Sequence, residues 1–185
     1  MSVTIPTITL AGAVANLTRA TVAGTKNTGV TAVESQSGQQ MVTKLTFSDL
    51  AISAIAGAAA EAVGKLLYSL PAGAILLRAA YMDVGLEGTD ALIDDDTPEI
   101  GLGSVIASGE VATLDGTATF EDTLTGQVAA NCTGTRTVQG VTDQGRVVKP
   151  GDSHGVYLNV ADTWAGADAG LKASGTVILE WLNIS

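Results

Sequence analysis

The sequence predicts an all-β protein, an antiparallel β-sandwich or jelly roll with an extended N-terminal arm. Three observations carry that reading. Hydrophobic residues fill 46% of the 185 positions, yet only 4% of residues are aromatic and 15% charged. The apolar content is therefore largely Ala, Val, Leu and Ile among Gly and Thr, which suits thin β layers more than a helical bundle. Several segments alternate apolar and polar residues with a period of two, the pattern of a half-buried strand. Turn residues punctuate the chain at short intervals, so seven to nine strands are expected without regular helices, roughly the range of sandwiches and jelly rolls.

Taken in order, residues 1–38 are rich in Thr, Ala, Gly, Val and Ser and poor in large apolar side chains. They read as an arm that orders against a neighbouring surface. A single domain is expected over residues 39–185. In "MVTKLTFS" the residues Met41, Thr43, Leu45 and Phe47 share one face. The inward set then moves to Leu50 and Ile52, which predicts a bulge near Ser48 and Asp49. "AISAIAGAAAEAVG" is the most helix-prone stretch because of its alanines. It lacks a cap and an amphipathic stripe, and reads as strand-then-loop.

Pro71-Ala72-Gly73 marks a turn between the strands "KLLYSL" and "AILLRAAYMDVGL". The second sets Leu76, Ala80, Met82, Val84 and Leu86 on one face, with Arg78 the exception. "EIGLGSVIA" and "GTATFED" read as short strands separated by a turn-like stretch that Asp115-Gly116 closes. Residues 122–153 form a long polar, Gly-rich excursion with room for edge strands such as "GRVVK". Two clear strands end the chain. One places Val156, Leu158 and Val160 against Tyr157 and Asn159. The other places Leu171, Ala173, Val177, Leu179 and Trp181 inward, and is apolar enough to sit mid-sheet. Each large side chain buried from these faces contributes roughly 1.5–3 kcal/mol.

Charge and cysteine usage narrow the function classes. A net charge of −10 and a pI near 4.3 repel phosphate backbones and anionic membranes, and no Lys/Arg cluster offsets them. Neither nucleic acid nor membrane is an expected partner. The N-terminus lacks the basic start of a secretory signal, and no apolar run is long enough for a bilayer span. Cys132 is the only cysteine, so an intrachain disulfide and a thiolate cluster are both excluded. As a nucleophile it would need His154, the only histidine, beside it. The sequons at Asn16, Asn131 and Asn183 are by-products of a Thr- and Ser-rich composition.

"IDDDTPEIGLGS" holds the densest group of carboxylates. Its best set for Ca²⁺ is Asp94 and Asp96 with Asp90, but the spacing departs from an EF-hand loop, and a solvated loop is the simpler reading. Asp96 with Glu99, or Glu121 with Asp122, are the pairs to test for glycoside hydrolysis, although the few scattered aromatics make no sugar platform. "GLGSVI" has Ile106 where a dinucleotide fingerprint needs its third glycine. "DSHG" at Asp152–Gly155 sets three triad residue types side by side, where neighbours cannot adopt triad geometry. No catalytic residue, enzyme activity or cofactor is expected.

The stretches "LYSLPAGAILLRAAYMDVGLEG", "DTPEIGLGSVIASGEVATLDGTATFED" and "HGVYLNVADTWAGADAGLKASGTVILEWLNIS" resemble small virion proteins of tailed bacteriophages. The resemblance covers residues 64–185 and rests on β segments and turns. It implies a decoration, or cement, protein on the capsid surface, made in the host cytoplasm and bound where capsomers meet. Its implied partners are the major capsid protein and further copies of itself, as a homotrimer. The alternatives are a tail, neck or fibre component with a glycan- or host-binding role, for which an exposed Trp164 would speak, and a non-viral lectin-like sandwich.

Overall fold

The computed structural model describes residues 23–115, 119–136, 138–142 and 145–184. Among these, eleven strands run in the order β1 (Thr25–Lys26), β2 (Val30–Ser37), β3 (Gln40–Ala51), β4 (Ala60–Ser69), β5 (Ile75–Glu87), β6 (Glu99–Gly103), β7 (Leu124–Val128), β8 (Val138–Thr142), β9 (Arg146–Val148), β10 (Gly155–Thr163) and β11 (Lys172–Asn183). One sheet has the order β1-β4-β10-β6-β7, and the other β2-β3-β11-β5-β8, with β9 also on β5. All pairings are antiparallel.

The pairings are nested. β3 pairs with β11, β4 with β10, β5 with β8 and β9, and β6 with β7. That is one long hairpin with its tip at β6–β7. Rolling it brings β11 onto β5 and β10 onto β6 as well, which closes two packed sheets. The result is the predicted sandwich in its jelly-roll form. β1 and β2 extend the sheets beyond β4 and β3.

The core lies between the sheets and follows the alternation in the sequence. Met41, Thr43, Leu45, Phe47 and Leu50 point inward from β3. Phe47 stands opposite Gly175 and Leu50 opposite Ala173, so Ser48 and Asp49 together face Ser174. This is the expected bulge. Asp49 takes a positive φ of 51° there, and its N–H donates to Ser174 Oγ at 2.9 Å. β11 lies mid-sheet, as its apolar face predicts. Thr43 belongs to a buried row because Trp181 Nε1–H donates to its hydroxyl at 2.9 Å.

Three expectations are corrected. In β5 the inward residues are Ile75 and Leu77, then Ala80, Met82, Val84 and Leu86, whereas Leu76 faces outward. The register shifts opposite Glu180/Trp181, so Arg78 is the extra residue of a second bulge and inverts the phase before it. In "GTATFED" the described residues 119–122 form turns and bends, and the strand starts only at Leu124. The arm is shorter than expected: β1 and β2 are sheet members within this chain. Only residues 1–22 of that stretch lie outside the described residues. β2 looked arm-like because an edge strand buries little, here chiefly Val30 and part of Ala32.

A loop covers the outer face of the first sheet. Residues 104–115 and 119–123, between β6 and β7, include Ala107 and Leu114, which form a small second cluster with Ala62 and Ala161. Glycines make the strands flat enough for this. A Cβ at Gly64 would stand 2.2 Å from Asn159 Oδ1, and one at Gly103 would stand 2.3 Å from Phe120 O.

Candidate functional site

The strand register gathers four loops at one end of the sandwich: β3–β4, β5–β6, β7–β8 and β10–β11. The carboxylates singled out in the sequence mostly lie here. Asp168, in the β10–β11 loop, is 1% exposed. Its Oδ2 accepts from Thr89 N at 2.6 Å, Asp90 N at 2.8 Å and Thr89 Oγ1 at 3.1 Å, and its Oδ1 accepts from Gly170 N at 2.7 Å. Its backbone pairs with Ile55 in the β3–β4 loop. One residue thus joins three loops. Burial pushes the Asp168 carboxyl up, but the N–H donors of Asp90, Thr89 and Gly170 outweigh it and hold it below the usual carboxylate range.

The acidic stretch is fastened in the same way. Asp90 Oδ1 accepts from Leu92 N at 2.9 Å and opens a single 3₁₀ turn over Ala91–Ile93, which the buried Ile93 anchors. Asp94 ends that turn. Asp96 Oδ2 accepts from Ala165 N at 2.9 Å, tying the acidic loop to the β10–β11 loop. Asp90, Asp94 and Asp96 therefore do not converge as Ca²⁺ ligands. No three His, Cys, Asp or Glu side chains gather as a metal set among the described residues. Asp162, half-buried nearby, is pushed up by burial first, with the Asp96 and Glu99 carboxylates adding to it; the Thr163 and Thr97 N–H groups oppose the rise.

The hydrolase pairs point to separate tasks. Glu99 Oε2 accepts from Leu114 N at 2.7 Å, and Glu121 Oε2 from Gly126 N at 2.9 Å. Asp122 receives Ser104 N at 2.8 Å, Ser104 Oγ at 2.6 Å and Arg146 Nη1 at 2.9 Å, a part-buried ion pair between the β6–β7 loop and β9. Cys132 is buried in the β7–β8 loop. Its N–H donates to Asp94 O, and its carbonyl accepts from Gly88 N, both at 2.9 Å. Burial pushes its thiol up to about 12, with Asp96, Asp162, Asp94 and Asp168 adding to the shift. That is the opposite of an activated nucleophile.

His154 sits at the other end of β10, roughly 30 Å from the Cys132 end at about 3.3 Å per residue. Its ring nitrogens lie 2.9 Å from Asp152 O and 2.9 Å from Gly73 O. Ser153 Oγ donates to Ser104 O at 2.6 Å, and Asp152 Oδ2 accepts from Lys149 N at 2.8 Å. "DSHG" is a knot of loop contacts. Trp164 is 1% exposed and donates its indole N–H to Glu61 O at 2.9 Å, so it lines no groove.

Besides Asp168, two further fasteners carry no clear signal in the sequence. Asn159, fully buried on the outer face of β10, accepts from Ala107 N at 2.8 Å and donates to Val105 O at 2.9 Å and Phe120 O at 2.8 Å. It pins the β6–β7 loop to the sheet. Its only sequence signal is an Asn among apolar β residues. Tyr68 donates its hydroxyl proton to the Glu34 carboxylate and accepts from Gly24 N at 2.9 Å, joining β4 to β2. Burial, then the Glu34 contact, raises its pKa. Beside it lies an open depression of about 430 Å³ lined by Ala23, Gly24, Thr25, Lys26, Ala32 and Glu34.

Fold and side-chain geometry together define a jelly-roll β-sandwich whose polar interior groups act as loop fasteners. Compared with known proteins, the chain matches no family model, and no curated protein matches it.

Proposed function

We propose that this chain is a structural protein of a tailed-bacteriophage virion, a decoration protein that binds the head surface between capsomers and reinforces it. The observation that carries the reading is the use of the loop-end side chains. Asp168 and Asp96 link loops through their carboxylates and Cys132 does so through its backbone, while Asp90 caps a turn within its own loop. A block stiffened in this way suits a role played through its surface, on a lattice.

The mechanism is additive. A protein that binds the assembled shell and not its dissociated parts stabilises the shell by mass action, about 2.7 kcal/mol per site at a hundred-fold excess over Kd. Repetition over a lattice, and linkage of copies into a homotrimer, turns modest contacts into large avidity. The strongly acidic surface fits a basic patch on the major capsid protein. Residues 1–22 would supply further contacts to that partner or to a neighbouring copy.

The test is a heat or chaotrope challenge of particles with and without the protein. Decorated heads retain their DNA under harsher treatment; equal resistance removes reinforcement as the function. The tail or fibre reading loses its named aromatic because Trp164 is buried.

A further inference from the structure

The two sheets differ on their outer faces. The first is covered by Ala107, Leu114 and their neighbours in the β6–β7 loop, which bury Ala62 and Ala161 there. The second carries two apolar rows on its outer face, with the more polar row of Ser35, Val42, Glu180 and Ala79 between them. Its register aligns Val33, Lys44, Ile178, Tyr81 and Val141 as one outward row across β2, β3, β11, β5 and β8. Four residues further along β11, beyond the Arg78 bulge, Leu182, Leu76 and Val147 form another. Val141 is 77% exposed, Val33 59% and Val147 51%.

Charge and size both bear on what covers this face. The chain carries a net charge of −10, so two copies repel wherever acidic surfaces meet. This face is nearly balanced: Lys44, Arg78 and Lys172 stand with Asp49, Asp83, Glu87 and Glu180, and Lys44 is the only charge in the two apolar rows. Copies can therefore meet here without burying like charge. Five strands about 4.8 Å apart and four outward rows about 6.8 Å apart span roughly 20 Å by 20 Å. That offers several hundred Å² of accessible surface per copy, at the lower end of what a specific interface needs. Two such twisted faces also pack naturally, about 10 Å apart.

We propose that copies of this chain associate through the outer face of the second sheet, with Ile178 and Tyr81 at the centre of the contact. This deepens the self-association in the proposed function but does not depend on a place in a virion.

The experiment is sedimentation of the full chain from low micromolar to about 200 µM, in moderate salt. The wild type should form a concentration-dependent species at a multiple of 18.6 kDa. Ile178→Lys should shift it to monomer. Val141→Lys, at a site too exposed to affect folding, should weaken association at least ten-fold. Leu92→Lys, at a 64% exposed position on the loop end, should change nothing. A wild type that stays monomeric, or association that survives both face variants, overturns the proposal. A monomer that needs Ile178 only to bind heads assigns the face to the shell protein, which also overturns it while leaving the decoration role standing.

Discussion

Replacing Asp168 with alanine removes the acceptor for three backbone N–H groups and one hydroxyl. A hydrogen bond to a charged group is worth about 1.5–3 kcal/mol, and a donor left buried costs a further 1–3 kcal/mol. Water reaches part of this loop end and recovers some of that, so the expected net loss is about 2–4 kcal/mol. For a chain of this size each kcal/mol moves Tm by roughly 2–4 °C, so the melting temperature should fall by about 5–15 °C at pH 7. The pH dependence adds a second readout. The Asp168 carboxyl is held below its ordinary range in the fold, so its contribution is present above the unfolded value near ~3.9 and is lost as pH falls through the folded value. Asp162 acts in the other direction, because its raised pKa makes protonation favour the folded state. It is common to both proteins and cancels in the difference. The Tm gap between wild type and Asp168→Ala, followed by circular dichroism, should therefore narrow as pH drops below about 4. A gap under about 1 °C at pH 7, or one that widens in acid, refutes the fastener role.

Asn159→Leu keeps the branched side-chain shape but removes three hydrogen bonds under the β6–β7 loop; hydrogen exchange should accelerate in residues 105–115 while β11 stays protected, and uniform exchange across both would contradict the local role. Cys132 should resist thiol reagents at pH 8 in the folded protein and react at once in denaturant, since burial pushes its thiol up to about 12; rapid labelling of the native chain would show the loop to be open. Calcium and EDTA should leave the melting midpoint unchanged, because Asp90 and Asp96 already accept N–H groups of different loops and gather no metal set among the described residues. A rise of several degrees with calcium would restore the metal reading.

The strand alternation of β3, β10 and β11 was legible because each strand buries one face against a single core. The bulge at Asp49 was legible too, since a phase change between Phe47 and Leu50 needs one extra residue. Arg78 misled for the same physical reason read the wrong way: a charged residue in a run looks like an exception on a face, when it is the residue that inverts the faces. β2 could not be distinguished from an arm, because an edge strand's evidence lies in its partner's register. The roles of Asn159 and Asp168 depend on loops dozens of residues away. Local patterns do not encode which loop lies over a strand.

The acidic stretch "DDDTPE" shows both limits. Its position ahead of β6 was legible from "EIGLG", where Ile100 and Leu102 face the core and the outward glycines let the covering loop approach. That Asp96 reaches across to the β10–β11 loop was not legible. A carboxylate cluster alone carries no information about whether its oxygens meet a cation, water or backbone N–H.

Cryo-EM of the intact particle tests the central functional claim most directly. A decoration protein gives jelly-roll density repeated over the outer surface of the head, seated where capsomers meet. Density of this shape confined to the neck, tail or fibres, with a bare head lattice, would contradict it.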